Sequence, residues 1–330
     1  MKAPPLHIAV FRAAGREEWE EACRACDYAT FFHTPYWVDL FVPAAGGRIV
    51  SAAEVITFND GVSAILPLPY SQYVGGVLRI YWSMPACTFG GWVSADNLTS
   101  EHAGILSARL CSRRDLIWRE NPYDPFGRSL PMPGAEHDFT QAIDLRNGFE
   151  AAAADFDHAH RKAVRRARAA GVVVTEAMAF DQWERYFQLY ESSRERWKEK
   201  HLTEGRGYPF ALFKAAFNLP APLRKLWLAE INGRPASGIL CFYWNRHAVA
   251  WNGAGDADLF MNRPNNLLYE QAMRYAAGEG YRWFDCNPSA GLSGVFAFKE
   301  HLGAAKLQSR LLNKRSTLRR AMEWGRGLLQ

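Results

Sequence analysis

The spacing of apolar and polar residues divides the chain into two runs of the same order. In the first half, residues 48–58 and 62–69 predict strands joined by the turn Asn59-Asp60-Gly61. Residues 78–84 predict a third strand, Thr88-Phe89-Gly90-Gly91 a loop, and 101–113 a helix. A strand over 116–119 then ends in Glu120-Asn121-Pro122. In the second half, strands over 225–231 and 236–244 flank the turn Asn232-Gly233-Arg234-Pro235. A third strand covers 247–252 and a loop 253–258; a helix over 265–277 leads to a strand over 282–286 and then Asn287-Pro288. The two Asn-Pro pairs stand 166 positions apart (287 minus 121). Shared order, turn chemistry and terminal dipeptide make duplication the economical explanation.

Each half also opens alike, on a short strand (6–11 and 172–175) followed by a helical region. A helix over 181–196 places Trp183, Phe187 and Tyr190 on one apolar face. Pro131, Pro133 and Gly134 interrupt regular structure, so the seam is expected within 134–147. The expected organisation is therefore residues 1–140, residues 141–315 and a basic amphipathic tail over 316–330. In that tail Leu318, Met322 and Leu329 oppose Arg315, Arg319, Arg320 and Arg326, a pattern that suits an anionic membrane surface, RNA, or docking on its own domain.

A chain of 330 residues, 48% hydrophobic and 22% charged, is globular and long enough for two domains. The formal net charge of +5 permits an anionic partner without demanding one. The six cysteines are scattered, and Cys23-x-x-Cys26 has no second pair, so no metal site is expected. The opening MKAPPLHIAVFR lacks a long apolar core, and no apolar run approaches a membrane span. The expectation is a cytoplasmic protein with reduced thiols.

Chemistry concentrates in residues 281–303, YRWFDCNPSAGLSGVFAFKEHLG. A short buried strand ends in Asp285-Cys286-Asn287-Pro288, and a loop of small residues (Ser289, Ala290, Gly291, Ser293, Gly294) lets a ligand approach the backbone. Lys299 follows between Phe298 and Leu302, at the start of an expected helix. A cation beside aromatic residues, just past a strand end, suits stabilisation of an oxyanion in a water-poor cleft; the plain alternative is a solvated helix lysine. Asp285 and Asn287 stand where side chains enter a cleft, either to take or orient the proton of an attacking ammonium or to cap the turn. Cys286 reads as a small buried side chain.

Further motifs appear in order: His160-Arg161-Lys162-x-x-Arg165-Arg166-Ala167 with Gly171, Trp251-Asn252-Gly253, Pro264-Asn265-Asn266-Leu267-Leu268, Gly280-Tyr281-Arg282-Trp283-Phe284-Asp285, and Phe298-Lys299-x-x-Leu302-Gly303. With the order of elements, these resemble the GNAT acyltransferase fold. Doubled, the pattern resembles the Fem-type aminoacyltransferases and the related group with a BioF2-like acetyltransferase domain. The motifs cover residues 150–312, while the first half matches in layout only. The resemblance implies an α/β (layered α+β) protein with two GNAT-like domains in tandem. Each would have a mixed, mostly antiparallel sheet flanked by helices, and the first domain would be degenerate.

The resemblance also implies an N-acyltransferase. An activated acyl or aminoacyl group would pass from acyl-CoA or aminoacyl-tRNA directly to an amine, with no permanently bound cofactor. The acceptor would be a small molecule or an envelope precursor, with tRNA a possible partner and DNA not expected. Lys299, Asp285 and Asn287 would serve catalysis. Trp251, Asn252, Gly253, Arg263, Asn265 and Asn266 would hold the donor. Arg161, Lys162, Arg165, Trp197, Tyr208 and Phe298 would contact substrate, with Gly205 and Gly207 loosening a lid. One departure concerns the donor loop, where Asp256 and Asp258 would repel a pyrophosphate that Arg263 and the N–H groups after Asn265 attract. The rival from another class is a non-catalytic module binding an anionic ligand or RNA.

Overall fold

The structure, a computed structural model, describes residues 4–199, 207–289 and 292–327. They form two compact units, one of residues up to Phe139 and from Gln308 onward, the other Thr140–Leu307.

The first unit opens with β1 (Ile8–Ala13), α1 (Arg16–Ala25) and α2 (Pro35–Phe41). Five strands follow: β2 (Ile49–Val50), β3 (Ala53–Phe58), β4 (Ser63–Pro67), β5 (Tyr70–Tyr73) and β6 (Leu78–Trp82). Then come α3 (Ser100–Cys111) and β7 (Leu116–Arg119). The sequence places one hairpin here, and the structure bends it into two sheets. β3 pairs with β4 through Ala53↔Pro67, and β2 with β5 through Ile49↔Ser71, in one continuous register. The break falls at Pro67-Leu68-Pro69, because proline has no N–H to give a ladder. β6 runs antiparallel to β5 and parallel to β7. Leu66, Trp92, Leu106, Leu110 and Trp118 fill the core of this unit.

The second unit contains β8 (Glu136–Asp144), α4 (Gly148–Ala154), α5 (His158–Ala169), β9 (Val173–Glu176), α6 (Phe180–Glu199) and α7 (Phe210–Phe217). β10 (Arg224–Ile231), β11 (Arg234–Trp244) and β12 (His247–Gly255) lead to α8 (Pro264–Gly278), β13 (Trp283–Asp285) and α9 (Ser293–His301). The strand order is β8-β13-β12-β11-β10-β9. Only the β12–β13 contact among these is parallel. One face of the sheet packs on α8 through Leu268, Ala272, Met273 and Ala276, at helical spacing. α6 lies along β11 and β12, with Trp183 and Tyr186 fully buried.

β14 (Ala305–Lys314) and α10 (Thr317–Gly327) complete the chain. β14 pairs with β7, through Leu311↔Arg119 and Lys314↔Leu116. From Gln308 onward the chain groups with the first unit, where the sequence set a boundary at 315. In α10, Arg319 is buried on Glu323 and the Lys314 carbonyl, while Leu318 and Trp324 are exposed. Leu329 lies outside the described residues. Among the described residues, no helix is long and apolar enough to cross a membrane.

The change from one unit to the other falls at Phe139/Thr140, within the expected 134–147, but inside the strand β8 and not in an irregular linker. Thr140, Gln141, Ala142 and Ile143 are all buried, so no alternation of polar and apolar residues marks the strand. The duplication is visible in both units. β6 and β7 run parallel in one, β12 and β13 in the other, and each Asn-Pro begins two residues past its strand.

Candidate active site

In the second unit β12 and β13 pair only as far as Val249↔Asp285, and beyond that point they part. Asn287 bridges the opening, its side-chain amide donating to the Ala250 carbonyl at 2.8 Å. On the other edge of β12 the register with β11 slips: Leu240 faces Asn252 and Cys241 faces Ala250, which leaves Trp251 as a bulge. A cavity of about 560 Å³ occupies the opening, lined by the 250–255 backbone, Asn265 and Tyr269 of α8, and residues 286–289 and 292–299 in part. That volume suits a small-molecule arm.

Lys299 lines this cavity and is 3% exposed. It sits in the last turn of α9, not at a helix start, so the expectation of a first-turn lysine is corrected. Its Nζ donates to the Asn287 carbonyl at 2.7 Å. Burial lowers its pKa, while Cys286 and Asp285 act in the opposite direction. An ammonium has three donors, and that bond uses one.

Asp285 is fully buried and is not part of the cavity wall. Its Oδ1 accepts from the Thr140 hydroxyl at 2.6 Å and the Asn287 N–H at 2.7 Å. Cys286 lines the cavity, but burial pushes its thiol up to about 12, so it stays protonated.

The opposite wall comes from α6. Arg196 and Trp197 line the cavity, and the Arg196 guanidinium donates to the Gly255 carbonyl at 3.1 Å. The Tyr186 hydroxyl lies 2.6 Å from the Asn252 side-chain oxygen and 2.9 Å from its carbonyl, which fixes that residue. Tyr186 reaches it across Gly238, where an added Cβ would meet the Tyr186 ring at 2.6 Å. Trp251 packs on Tyr208 at a ring separation of 4.7 Å.

The cavity therefore gathers Lys299, Asn287, Trp251, Asn252, Gly253, Asn265, Trp197 and Phe298. Other expected residues stand apart from its wall. Arg161, Lys162 and Arg165 are exposed on α5, because Val164 and Ala167 turn the other face into the core. Arg263 is exposed in a left-handed conformation and is itself the N-cap of α8, so Asn265 does not cap that helix. The Asn266 amide turns away to His160 Nδ1 at 2.9 Å. Asp256 caps the turn that follows β12 and pairs with Arg234, which also lies 3.6 Å from Asp258. Gly205 lies outside the described residues, and so do Ala290 and Gly291.

Two neighbours in β8 went unread in the sequence. Thr140 holds Asp285, and Gln141 joins the end of the strand segment to α9, accepting from the Ser289 hydroxyl at 2.7 Å and donating to the Phe296 carbonyl at 3.3 Å. Buried polar residues with a strand on each side have no sequence signature of their own.

The site is thus a splayed parallel strand pair over a cavity, with the first turn of α8 at one end. Residues 154–300 match the family model of the acetyltransferase (GNAT) domain. The structure is similar to FemX, at 11% identity and a TM-score of 0.67, over 91% of this chain and 96% of that one. It is also similar to a conserved protein of unknown function from Bacteroides thetaiotaomicron, at 12% identity and a TM-score of 0.56, over 92% and 98%. A tandem GNAT protein from the clavulanic acid biosynthesis pathway aligns at 11% identity and a TM-score of 0.45, over 95% and 100%. No curated protein matches.

Proposed function

We propose that the second unit moves an activated acyl group from a coenzyme A thioester to the amine of an acceptor, by direct attack in the cavity between β12 and β13. The observation that carries this reading is the buried Lys299 ammonium on the cavity wall, with donors left beyond its bond to Asn287. Attack of an amine on a thioester carbonyl moves the carbonyl electron pair onto oxygen. The new C–N bond forms first; collapse then expels the thiolate, which takes up the proton released by the amine. Lys299 would stabilise the oxyanion, and the β12 backbone and Asn265 would hold the donor arm. The Asp256 and Asp258 charges offer less repulsion than the sequence suggests, since Arg234 faces both. Acetyl-CoA titrated into the protein by calorimetry should bind one per chain, and Gly253→Leu, which fills the cavity, should abolish the heat.

A second donor has support from one feature. Arg161, Lys162, Arg165 and Arg166 are exposed on α5, which packs on α8. Such a face suits the phosphates of an aminoacyl-tRNA. Binding of a charged tRNA that weakens on replacing these four residues, with no heat from acetyl-CoA, would favour that donor. For the acceptor, the Fem-type resemblance points to an envelope-precursor amine.

A further inference from the structure

Asp285 has the attributes of a group that acts through others. A buried carboxylate survives only when donors and counter-charge surround it. The Thr140 hydroxyl supplies one donor and the Asn287 N–H another. The second bond runs from residue 287 back to residue 285, an Asx-type turn, and it accompanies φ +59° at Asn287. That left-handed conformation is uncommon outside glycine, and asparagine tolerates it best. With Asn287 so placed, its amide meets Ala250 and its carbonyl receives the Lys299 ammonium. A continuous path thus runs from β8 through the end of β13 to α9.

We propose that Thr140 and Asp285 are positioning residues for Lys299: together they fix the Asn287 carbonyl on which the ammonium rests, and Asp285 supplies the charge that keeps it protonated. This rests on the reading of Lys299 as the oxyanion donor. Asp285 is not the proton acceptor, because it does not line the cavity and one of its oxygens already holds two donors. The groups facing Lys299 agree with this assignment. From the end of β13 comes Asp285, and from the residue after it Cys286, a neutral thiol; Tyr269 of α8 lines the same cavity, and burial keeps its phenol neutral. Arg196 of α6 lines the same cavity and is a cation, so Asp285 is the anion this cluster contains.

The test separates charge from geometry. Asp285→Asn keeps an oxygen for both hydrogen bonds and removes the charge. The Lys299 side chain, followed by NMR on lysine labelled at Nζ and Cε, should then titrate at lower pH than in the unaltered protein. The alkaline limb of kcat/KM should move the same way, with donor KM within about twofold. Thr140→Val should lower kcat by about tenfold, the scale of one lost hydrogen bond, and Thr140→Ser should restore it. An unchanged Lys299 titration in Asp285→Asn would overturn the proposal. So would loss of turnover at every pH with the titration unmoved, the behaviour of a missing base. If Asp285→Asn does not fold, equal kcat in Thr140→Val and the unaltered protein overturns it alone. The titration is read without substrate, so a fully active Lys299→Met would refute the oxyanion role and leave the Thr140–Asp285 pairing standing.

Discussion

The two Asn-Pro strand ends differ in how their polar groups are used. In the first unit the residue before Asn121 is Glu120, with only 5% of its side chain exposed, in a two-pronged pair with Arg310 of β14 at 2.6 and 2.9 Å. Arg310 also donates to the carbonyls of Leu130 and Gly127. Gly90 bridges Glu120 in parallel fashion, so the backbone stays together past the strand end. In the second unit the corresponding residue is Cys286, the strands part, and Lys299 stands over the opening. One copy of the fold satisfies its strand end internally, and the other keeps a cation at a cavity. Duplication supplied two frames, and polar satisfaction decides which of them has groups left for a substrate.

The largest expected effect tests the open end. Lys299→Met keeps length and removes charge, so kcat/KM should fall by about two orders of magnitude, the scale of one lost oxyanion donor. The next effect tests the closed end. Arg310→Met leaves Glu120 buried without its counter-charge and should cost about 3 kcal/mol of stability by denaturant unfolding. At temperatures where the variant remains folded, kcat should be unchanged.

The smallest effect is a pair of opposite pH slopes. In the first unit, burial pushes Asp124 up from 3.8 to about 7, and the Glu120 charge adds to that shift. The folded state then binds the proton more tightly than the unfolded one, so stability falls as pH rises from 3.8 to about 7. In the second unit, burial holds His160 down at about 4 from 6.5. The unfolded state binds that proton more tightly, so stability falls as pH drops from 6.5 to about 4. Asp124→Asn and His160→Asn should each flatten one slope in chemical unfolding measured across pH. Slopes of the same sign would contradict the contrast.

Much of this was legible because it is periodic or punctuated. Strands β9 to β13, α8 and both Asn-Pro pairs follow from apolar runs and turn residues. Lys299 was legible as a cation among aromatic residues beside a strand end. β5 was hidden by the prolines before it, and β8 by its buried polar residues. The return of β14 to the first unit depends on pairing across nearly two hundred residues, which no local pattern encodes. In the α5 basic run, Val164 and Ala167 face the core and leave the charges in solvent, a division that helical spacing alone announces.

The contrast between the two strand ends can be read directly by hydrogen–deuterium exchange, with saturating acetyl-CoA in one series and a charged tRNA in another. For the donor that supports transfer, we predict protection across residues 250–255 and 264–266 and in α9, with residues 116–130 unchanged. Protection centred on 116–130, with none around Lys299, would contradict the assignment of the chemistry to the second unit.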